Sequence, residues 1–192
     1  MKRILFSLKI ITLIFFMCSY ALSCPEPFSI KNPHENSPTN EVSRLVEKLV
    51  MADSKESEKI LSKIDSIRRA HPENNDILLM YTNSLIGEKH YKQGIKLLEI
   101  LYEKKPARTY LLTRCMLKER LGDKEKSCYE DILHLSEKQE IIDSDYITAL
   151  FFTDAKKFIT VKKQLIKENK FKESDFLVFT LGKEKMLHEL FP

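Results

Sequence analysis

Cysteine is the residue type in this chain whose chemistry is easiest to trace. The chain contains four, at Cys18, Cys24, Cys115 and Cys128. A thiol can form a disulfide, become acylated, bind a metal ion or act as a nucleophile, and the surrounding residues distinguish these uses. No cysteine lies in a Cys-x-x-Cys pair or a known nucleophile motif, so we expect neither metal binding nor thiol catalysis. Cys115 and Cys128 are then either a disulfide pair or two reduced core residues.

The other side chains capable of acid–base chemistry are not arranged in catalytic patterns. None of the histidines has a second ligand at the spacing of a zinc motif, and we interpret all five as surface residues: His34, His71, His90, His134 and His188. Acid pairs such as Asp143 and Asp145 are typical of helix caps. No phosphate-binding glycine loop and no Gly-x-Ser-x-Gly motif occurs. We therefore expect no catalytic residues, no cofactor and no metal, with an enzyme that lacks a recognisable motif as the alternative.

The first 23 residues have the composition of an export signal. Residues 1–9 contain three basic residues and no acidic one, and an apolar run follows at residues 10–17. Ala21-Leu22-Ser23 then precedes Cys24. This order is that of a secretory signal peptide. The apolar run is short for a membrane-spanning helix, which needs about 20 residues. We predict a cleaved signal peptide at residues 1–23, with an uncleaved membrane anchor as the alternative.

Cleavage at this point would make Cys24 the first residue. Ala21-Leu22-Ser23-Cys24 resembles the lipobox of bacterial lipoproteins, in which the cysteine is acylated, although leucine usually stands where Ala21 stands here. Lipidation of Cys24 would also account for the odd number of cysteines that is left after Cys18 is removed. Ordinary cleavage after Ser23 is the competing interpretation. Both predict an exported, periplasmic protein, and lipidation would anchor it to the outer or inner membrane.

Charge and composition exclude some partners and suggest a tether. The formal net charge is +4, but the signal carries three of the cations, which leaves about +1 with both signs interspersed. No basic block remains for nucleic acid or an anionic membrane surface. Residues 24–40 contain four prolines and three asparagines, a composition typical of an extended linker.

From residue 41 onward, apolar residues recur at spacings of three and four, which indicates helices. Helix N-caps are predicted at Asn40, at Asp53 or Ser54, and within Asp143-Ser144-Asp145. A further cap is predicted at Thr153 or Asp154, and the last at Ser174 or Asp175. The predicted helices cover approximately residues 41–52, 54–70, 77–86, 91–103, 110–121, 124–137, 144–152, 155–168 and 175–190.

Two prolines reveal a repeat. Pro72 and Pro106 stand 34 residues apart, and each closes a segment with helical apolar periodicity. Two helices closed by a proline at this period are the signature of the tetratricopeptide repeat. Residues 73–106 resemble one such unit, with Gly94 where the family places a small residue between its helices. Residues 41–72 and 107–140 resemble it in helical rhythm.

The resemblance implies an all-α fold. We expect antiparallel helix-pair repeats that form a tetratricopeptide-like α-solenoid of about three units at residues 41–140. Beyond residue 141 the period fades, and residues 141–192 are predicted to form a C-terminal helical cap. The resemblance also places Cys115 and Cys128 near the closest approach of two helices in the third unit. It therefore favours a disulfide across the Gly122–Asp123 turn, with two reduced core cysteines as the alternative.

In this family the first helix of each unit lines a concave binding face. By that resemblance the partner-binding residues are Leu45, Leu49, Leu79, Asn83, Ile86, Leu112, Met116 and Glu119. The alternative for each leucine is a place in the core. The family's clamp for the acidic tails of chaperones needs lysine and asparagine at positions where leucine stands here, so that ligand is disfavoured. An apolar helix or strand of a partner protein fits such a groove better.

These observations predict a non-enzymatic protein–protein interaction module in the cell envelope. The first hypothesis is a scaffold or assembly factor that binds a segment of an envelope protein in the groove. The alternative is a periplasmic immunity protein that neutralises a delivered toxin. An apolar groove would favour the first hypothesis, and a polar face with one tightly bound partner would favour the second.

Overall fold

The computed structural model describes residues 37–192 of the chain. The predicted signal peptide, Cys24 and most of the predicted linker therefore lie outside the described residues. The described part is helical, without a β-strand, and belongs to one compact unit. Its α-helices are α1 (Pro38–Leu49), α2 (Ser54–Ala70), α3 (Asn75–Gly87), α4 (Tyr91–Lys104), α5 (Arg108–Arg120), α6 (Lys126–Lys138), α7 (Ser144–Thr153), α8 (Ala155–Lys167) and α9 (Lys183–Leu190), and a 3₁₀ helix at Glu173–Leu181 precedes α9.

Side-chain caps start several of these helices as predicted. Asp53 accepts hydrogen bonds from the backbone N–H groups of Lys55 and Glu56 at 3.0 and 2.9 Å, and Asp143 and Asp154 cap α7 and α8 in the same way. Such a cap satisfies N–H groups that have no partner inside the helix.

The predicted start of the first helix is wrong. Ser37, rather than Asn40, caps α1 and accepts a hydrogen bond from the backbone N–H of Asn40. Pro38 occupies the first turn, where its fixed φ suits a helix and its missing N–H costs nothing. The helix therefore begins inside the segment predicted as linker, and residues 38–40 are helical.

Consecutive helices form four antiparallel pairs: pair 1 (α1, α2), pair 2 (α3, α4), pair 3 (α5, α6) and pair 4 (α7, α8). Each helix packs on the next in the chain from α1 to α8, and α1 also packs on α3, as α5 does on α7. This arrangement is that of a helical repeat. The alternation continues past residue 141, so the segment predicted as a cap contains a fourth pair.

Glycine allows the two helices of pair 2 to approach closely. A Cβ atom built on Gly94 of α4 would lie 2.7 Å from Cγ1 of Ile86 in α3, which is closer than real Cβ contacts. A larger residue would force Ile86 to move within a packed core. The resemblance predicted a small residue here for this reason, and the structure confirms the close approach.

The end of the chain differs from the single helix predicted for residues 175–190. Residues 173–181 form a 3₁₀ helix, which ends at Gly182, where φ is 78°, and α9 follows. A 3₁₀ helix has three residues per turn, so Phe176 and Phe179 point in the same direction. Both rings contact Phe158 of α8, with centroids 6.3 and 5.1 Å away. These contacts with pair 4 explain why residues 173–181 form a 3₁₀ helix instead of the α-helix predicted from the sequence.

Candidate functional site

The eight residues predicted to bind a partner divide into three groups by exposure. Leu45, Leu49, Leu112 and Met116 are buried and belong to core clusters. Leu79, Ile86 and Glu119 are half-buried, and Asn83 is exposed. For the three buried leucines the structure shows the core placement that was the alternative, and Met116 lies in the core as well. The face therefore does not expose the continuous apolar groove that the sequence suggested, and partner binding by these residues stays a prediction.

The last segment of the chain lies across three of the four pairs. The Lys183 ammonium donates a hydrogen bond to the Phe152 carbonyl at the end of α7, at 2.8 Å. Arg120, the last residue of α5, donates from Nε to the Phe191 carbonyl at 2.8 Å. The hydroxyl of Tyr91, the first residue of α4, donates to the carbonyl of Pro192. The segment therefore runs from pair 4 to pair 2, along the ends where first helices stop and second helices start.

Apolar side chains of the same segment join the core. Met186, Leu187 and Phe191 are at most 8% exposed and belong to the cluster formed by α3 to α7. The rings of Phe191 and Tyr91 pack edge to face, with centroids 6.3 Å apart. The Arg120 guanidinium lies over the Tyr91 ring. Burial of side chains of this size stabilises a fold by about 1.5–3 kcal/mol each, so α9 is an integral part of the fold.

The predicted disulfide is present. Cys115 of α5 and Cys128 of α6 are bonded, with their Cα atoms 5.7 Å apart. The bond closes the α5–α6 turn, the segment at residues 121–125 between the two helices. Cross-linking a loop of this size lowers the entropy of the unfolded chain and adds about 3 kcal/mol of stability. The structure therefore confirms the bridge and contradicts the alternative of two reduced core cysteines.

Beside this loop lies a cavity of about 450 Å³ between pair 3, the end of α7 and the start of α9. It is lined by Glu119, Arg120, Gly122, Lys124, Lys126, Tyr129, Phe152, Lys183, Glu184, Leu187 and His188. Volumes of this order are typical of sites for small ligands. Four of the lining side chains are Lys or Arg and two are Glu, so the wall is cationic on balance. We call this space the basic cavity.

Tyr129 forms part of the wall of the basic cavity. Its side chain is 2% exposed and stacks on Phe152, with centroids 4.7 Å apart. Its hydroxyl is buried and has no hydrogen-bond partner among the described residues. Burial, then the negative charge of the nearby Glu119 and its interaction with the hydroxyl, raise the pKa of Tyr129 far above its ordinary value, so the phenol stays protonated.

The sequence did not indicate this cavity. Its residues come from the α5–α6 turn, the end of α7 and the start of α9, and only the folded chain brings them together. The lysines Lys124 and Lys126 stand beside Glu125, so the local sequence has the mixed charge of an ordinary solvated turn. The one available signal was the pair of cysteines, because the loop between them carries much of the wall.

A second polar cluster joins pairs 3 and 4 on the opposite ends of the helices. Arg108, at the start of α5, donates to both carboxylate oxygens of Asp143 at 3.1 and 2.6 Å, and to Ser136 Oγ of α6 at 2.7 Å. Partial burial opposes ionisation of Asp143, but hydrogen bonds from Arg108 and from the backbone of α7 outweigh it and lower the pKa of this carboxyl. The same contact raises the pKa of Arg108. The cluster is explained by its role in joining three helices.

Comparisons with known proteins add no relatives: no family model, no curated protein and no solved structure matches the chain. Within residues 37–192, no group of three or more metal-ligating side chains could hold an ion. In the same part of the chain, no helix is both long enough and apolar enough to cross a membrane. The packing and the disulfide of residues 37–192 define the class of fold, an all-helical arrangement consistent with a helical repeat.

Proposed function

We propose that this chain is a non-enzymatic protein-binding module of the cell envelope. Its likeness to tetratricopeptide repeats suggests a scaffold or assembly factor that holds a segment of a partner on the surface of its helix pairs. The observation that carries the proposal is the course of α9 and the residues after it. These residues pack along the ends of pairs 2 to 4, so the helix ends of this repeat present surfaces on which a further helix can pack.

The corresponding end of pair 1 offers apolar surface. Val50 and Met51 follow α1, where its partner helix α2 is about to start, and they are 79% and 88% exposed. Apolar side chains this exposed next to each other are typical of contact sites. The nearby first helix of pair 2 adds exposed Asn83 and half-buried Leu79. We propose that a partner segment contacts these residues.

A second candidate function is favoured by the burial of the expected groove. Leu45, Leu49, Leu112 and Met116 lie in the core, so an extended apolar segment has fewer side-chain pockets available than the sequence suggested. A folded partner that covers a largely polar surface fits this better. That supports the alternative, an immunity protein of the periplasm that binds one toxin domain.

Site-specific photo-crosslinking in the native cells tests both functions. A photoreactive amino acid is placed at Met51 or Asn83 on the proposed surface and at Ser62, an exposed position of α2, as the control. We expect one protein to be captured at Met51 and Asn83 and not at Ser62. A secretion or outer-membrane component would support the assembly factor, and a toxin domain would support the immunity protein.

Two outcomes would reject the proposal. Equal capture at all three positions would show non-specific contact, and no capture at Met51 and Asn83 would remove this surface as the binding site. Fractionation of the same cells tests the location, because an exported protein is released with the periplasm. If Cys24 is lipidated, Cys24→Ser moves the protein from the membrane fraction to the soluble periplasmic fraction.

A further inference from the structure

We propose that the basic cavity binds a small organic anion, with its carboxylate or phosphate group at the cationic wall and its apolar body against Phe152 and Leu187. This inference goes beyond the proposed protein binding and does not depend on it. It is carried by three features of the cavity: its charge, the helix starts that open onto it, and the buried donor in its wall.

The cations at the cavity are not neutralised by neighbouring side chains. Arg120, Lys124, Lys126 and Lys183 form no ion pair with a carboxylate in the described part of the chain. Arg120 and Lys183 instead donate to main-chain carbonyls of Phe191 and Phe152. Glu119 and Glu184 also line the space, and His188 adds a further titratable group. Four cations facing two carboxylates leave a net positive potential that favours an anion.

Two helices begin at the cavity. Lys126 is the first residue of α6 and Lys183 is the first residue of α9, and both line the wall. Neither helix has a side-chain hydrogen bond at its N-cap, which is Glu125 for α6 and Gly182 for α9. The first N–H groups of a helix lack partners inside it and carry partial positive charge. An oxyanion at such a position satisfies these donors.

The wall of the cavity also contains the buried hydroxyl of Tyr129. Leaving a buried donor poorly bonded costs about 1–3 kcal/mol, and this hydroxyl, on a side chain that is 2% exposed, makes no hydrogen bond of ordinary geometry although the Glu119 carboxylate lies close to it. A ligand acceptor in the cavity would remove that cost. Phe152 and Leu187 are at most 4% exposed, and they give the space apolar walls against which a ring or an aliphatic chain can pack.

The disulfide holds the site in shape. Arg120, Lys124 and Lys126 all lie in the loop that Cys115 and Cys128 close, and Tyr129 follows directly. The bond therefore keeps the positions of these three lining cations fixed relative to one another and to Tyr129.

Titration of the purified protein with small probes tests the proposal by isothermal calorimetry and by ¹H–¹⁵N NMR. The probes are phenyl phosphate and benzoate, with inorganic phosphate lacking the apolar body and phenol lacking the charge. We expect phenyl phosphate or benzoate, or both, to shift the amide signals of residues 119–129 and 183–188. Whichever binds more tightly identifies the anionic group. We expect phenol and inorganic phosphate each to bind at least about tenfold more weakly, since tenfold corresponds to one lost interaction of about 1.4 kcal/mol.

A matched pair of double variants locates the site. Lys124→Ala/Lys126→Ala should raise the dissociation constant at least about tenfold. Lys163→Ala/Lys167→Ala on α8 removes two positive charges as well, but away from the cavity. This variant should leave the dissociation constant within about twofold of the wild-type value. Equal loss in both pairs would show a general charge effect and overturn the proposal. It would also be overturned if phenol bound as tightly as phenyl phosphate and benzoate, or if neither anion shifted these signals at millimolar concentration.

Discussion

Pairs 1 and 2 are joined by apolar burial and by single polar contacts such as those of Lys63 with Glu41 and of Asn74 with Thr39, whereas pairs 3 and 4 also carry a covalent bond and a bidentate arginine–carboxylate contact. In pair 1 the least exposed carboxylate, Asp65, forms its ion pairs with Arg68 and Arg69 of the same helix. In pairs 3 and 4, by contrast, a disulfide joins α5 to α6, Arg108 joins three helices, and α9 lies across the helix ends.

The difference between these halves indicates where a binding site can be precise. A cavity recognises a small ligand only if its walls keep their positions, and supporting contacts provide this. The basic cavity lies in the half that has the disulfide, and the loop that the disulfide closes and the start of α9 both contribute to its wall. The exposed apolar residues Val50 and Met51 lie in the other half, where a protein partner can itself complete the packing.

The largest effect should come from removing the anchor of α9. Phe191→Ala deletes a ring that is 8% exposed and packs against Tyr91. We expect a loss of about 3–5 kcal/mol in the free energy of unfolding, the usual cost of deleting a buried Phe side chain. The measurement is urea denaturation followed by circular dichroism.

Leu190→Ala is the control, because Leu190 directly precedes Phe191 in the chain and is 46% exposed. We expect this change to cost less than about 1 kcal/mol. A small effect of Phe191→Ala, no larger than that of the control, would mean that α9 contributes little to the stability of pairs 2 to 4. The contrast between the two halves would then rest on the disulfide and Arg108 alone.

The second largest effect should follow loss of the disulfide. Replacing both Cys115 and Cys128 by Ala should lower the free energy of unfolding by about 3 kcal/mol, since the unfolded chain regains the entropy of the open loop. Hydrogen exchange should show the loss of protection mainly in α5 and α6, which the bond joins. Equal loss in α1 and α2 would show that the four pairs unfold as one unit and would contradict a difference between halves.

Local signals in the sequence predicted the helical fold well. Asp53, Asp143 and Asp154 start helices as expected, and Gly94 fits the close approach of α3 and α4. These features depend on residues near each other in the chain or on a known repeat period. The prediction of Asn40 as the first N-cap was wrong because Ser37 and Asn40 are both suitable capping residues. Ser37 followed by Pro38 is the better helix start.

The site was harder to predict because it depends on contacts between distant residues. Nothing near Leu45 or Met116 distinguishes a leucine or methionine of the core from one that lines a groove, and the structure places both in the core. The basic cavity combines Lys124 with Lys183, which become neighbours only because Gly182 ends the 3₁₀ helix and lets α9 turn back. The disulfide between Cys115 and Cys128 was predicted correctly because both cysteines lie in one helical hairpin.

The smallest predicted effect compares two carboxylates that differ in what they join. Asp143→Asn keeps an oxygen to cap α7 but removes the charge that pairs with Arg108 of α5. Asp65→Asn removes a charge that pairs within α2. For a partly exposed pair we expect a cost of about 1 kcal/mol for either change at pH 7. Hydrogen exchange should separate them: Asp143→Asn should loosen α7, and Asp65→Asn only α2.

The stability lost in Asp143→Asn and in Asp65→Asn should depend on pH. The pKa values of Asp143 and Asp65 are lowered in the folded chain, despite partial burial, by hydrogen bonds from arginine. A carboxyl of lowered pKa contributes stability above its unfolded value of about 3.9 and loses it as the pH falls through the folded value. The gap between wild type and either variant should therefore be present at pH 7 and close below about pH 4. A gap that does not narrow at all as the pH falls from 4 to 2 would mean that the lost stability comes from the altered shape of the side chain, and the difference between local and long-range ion pairs would have no energetic basis.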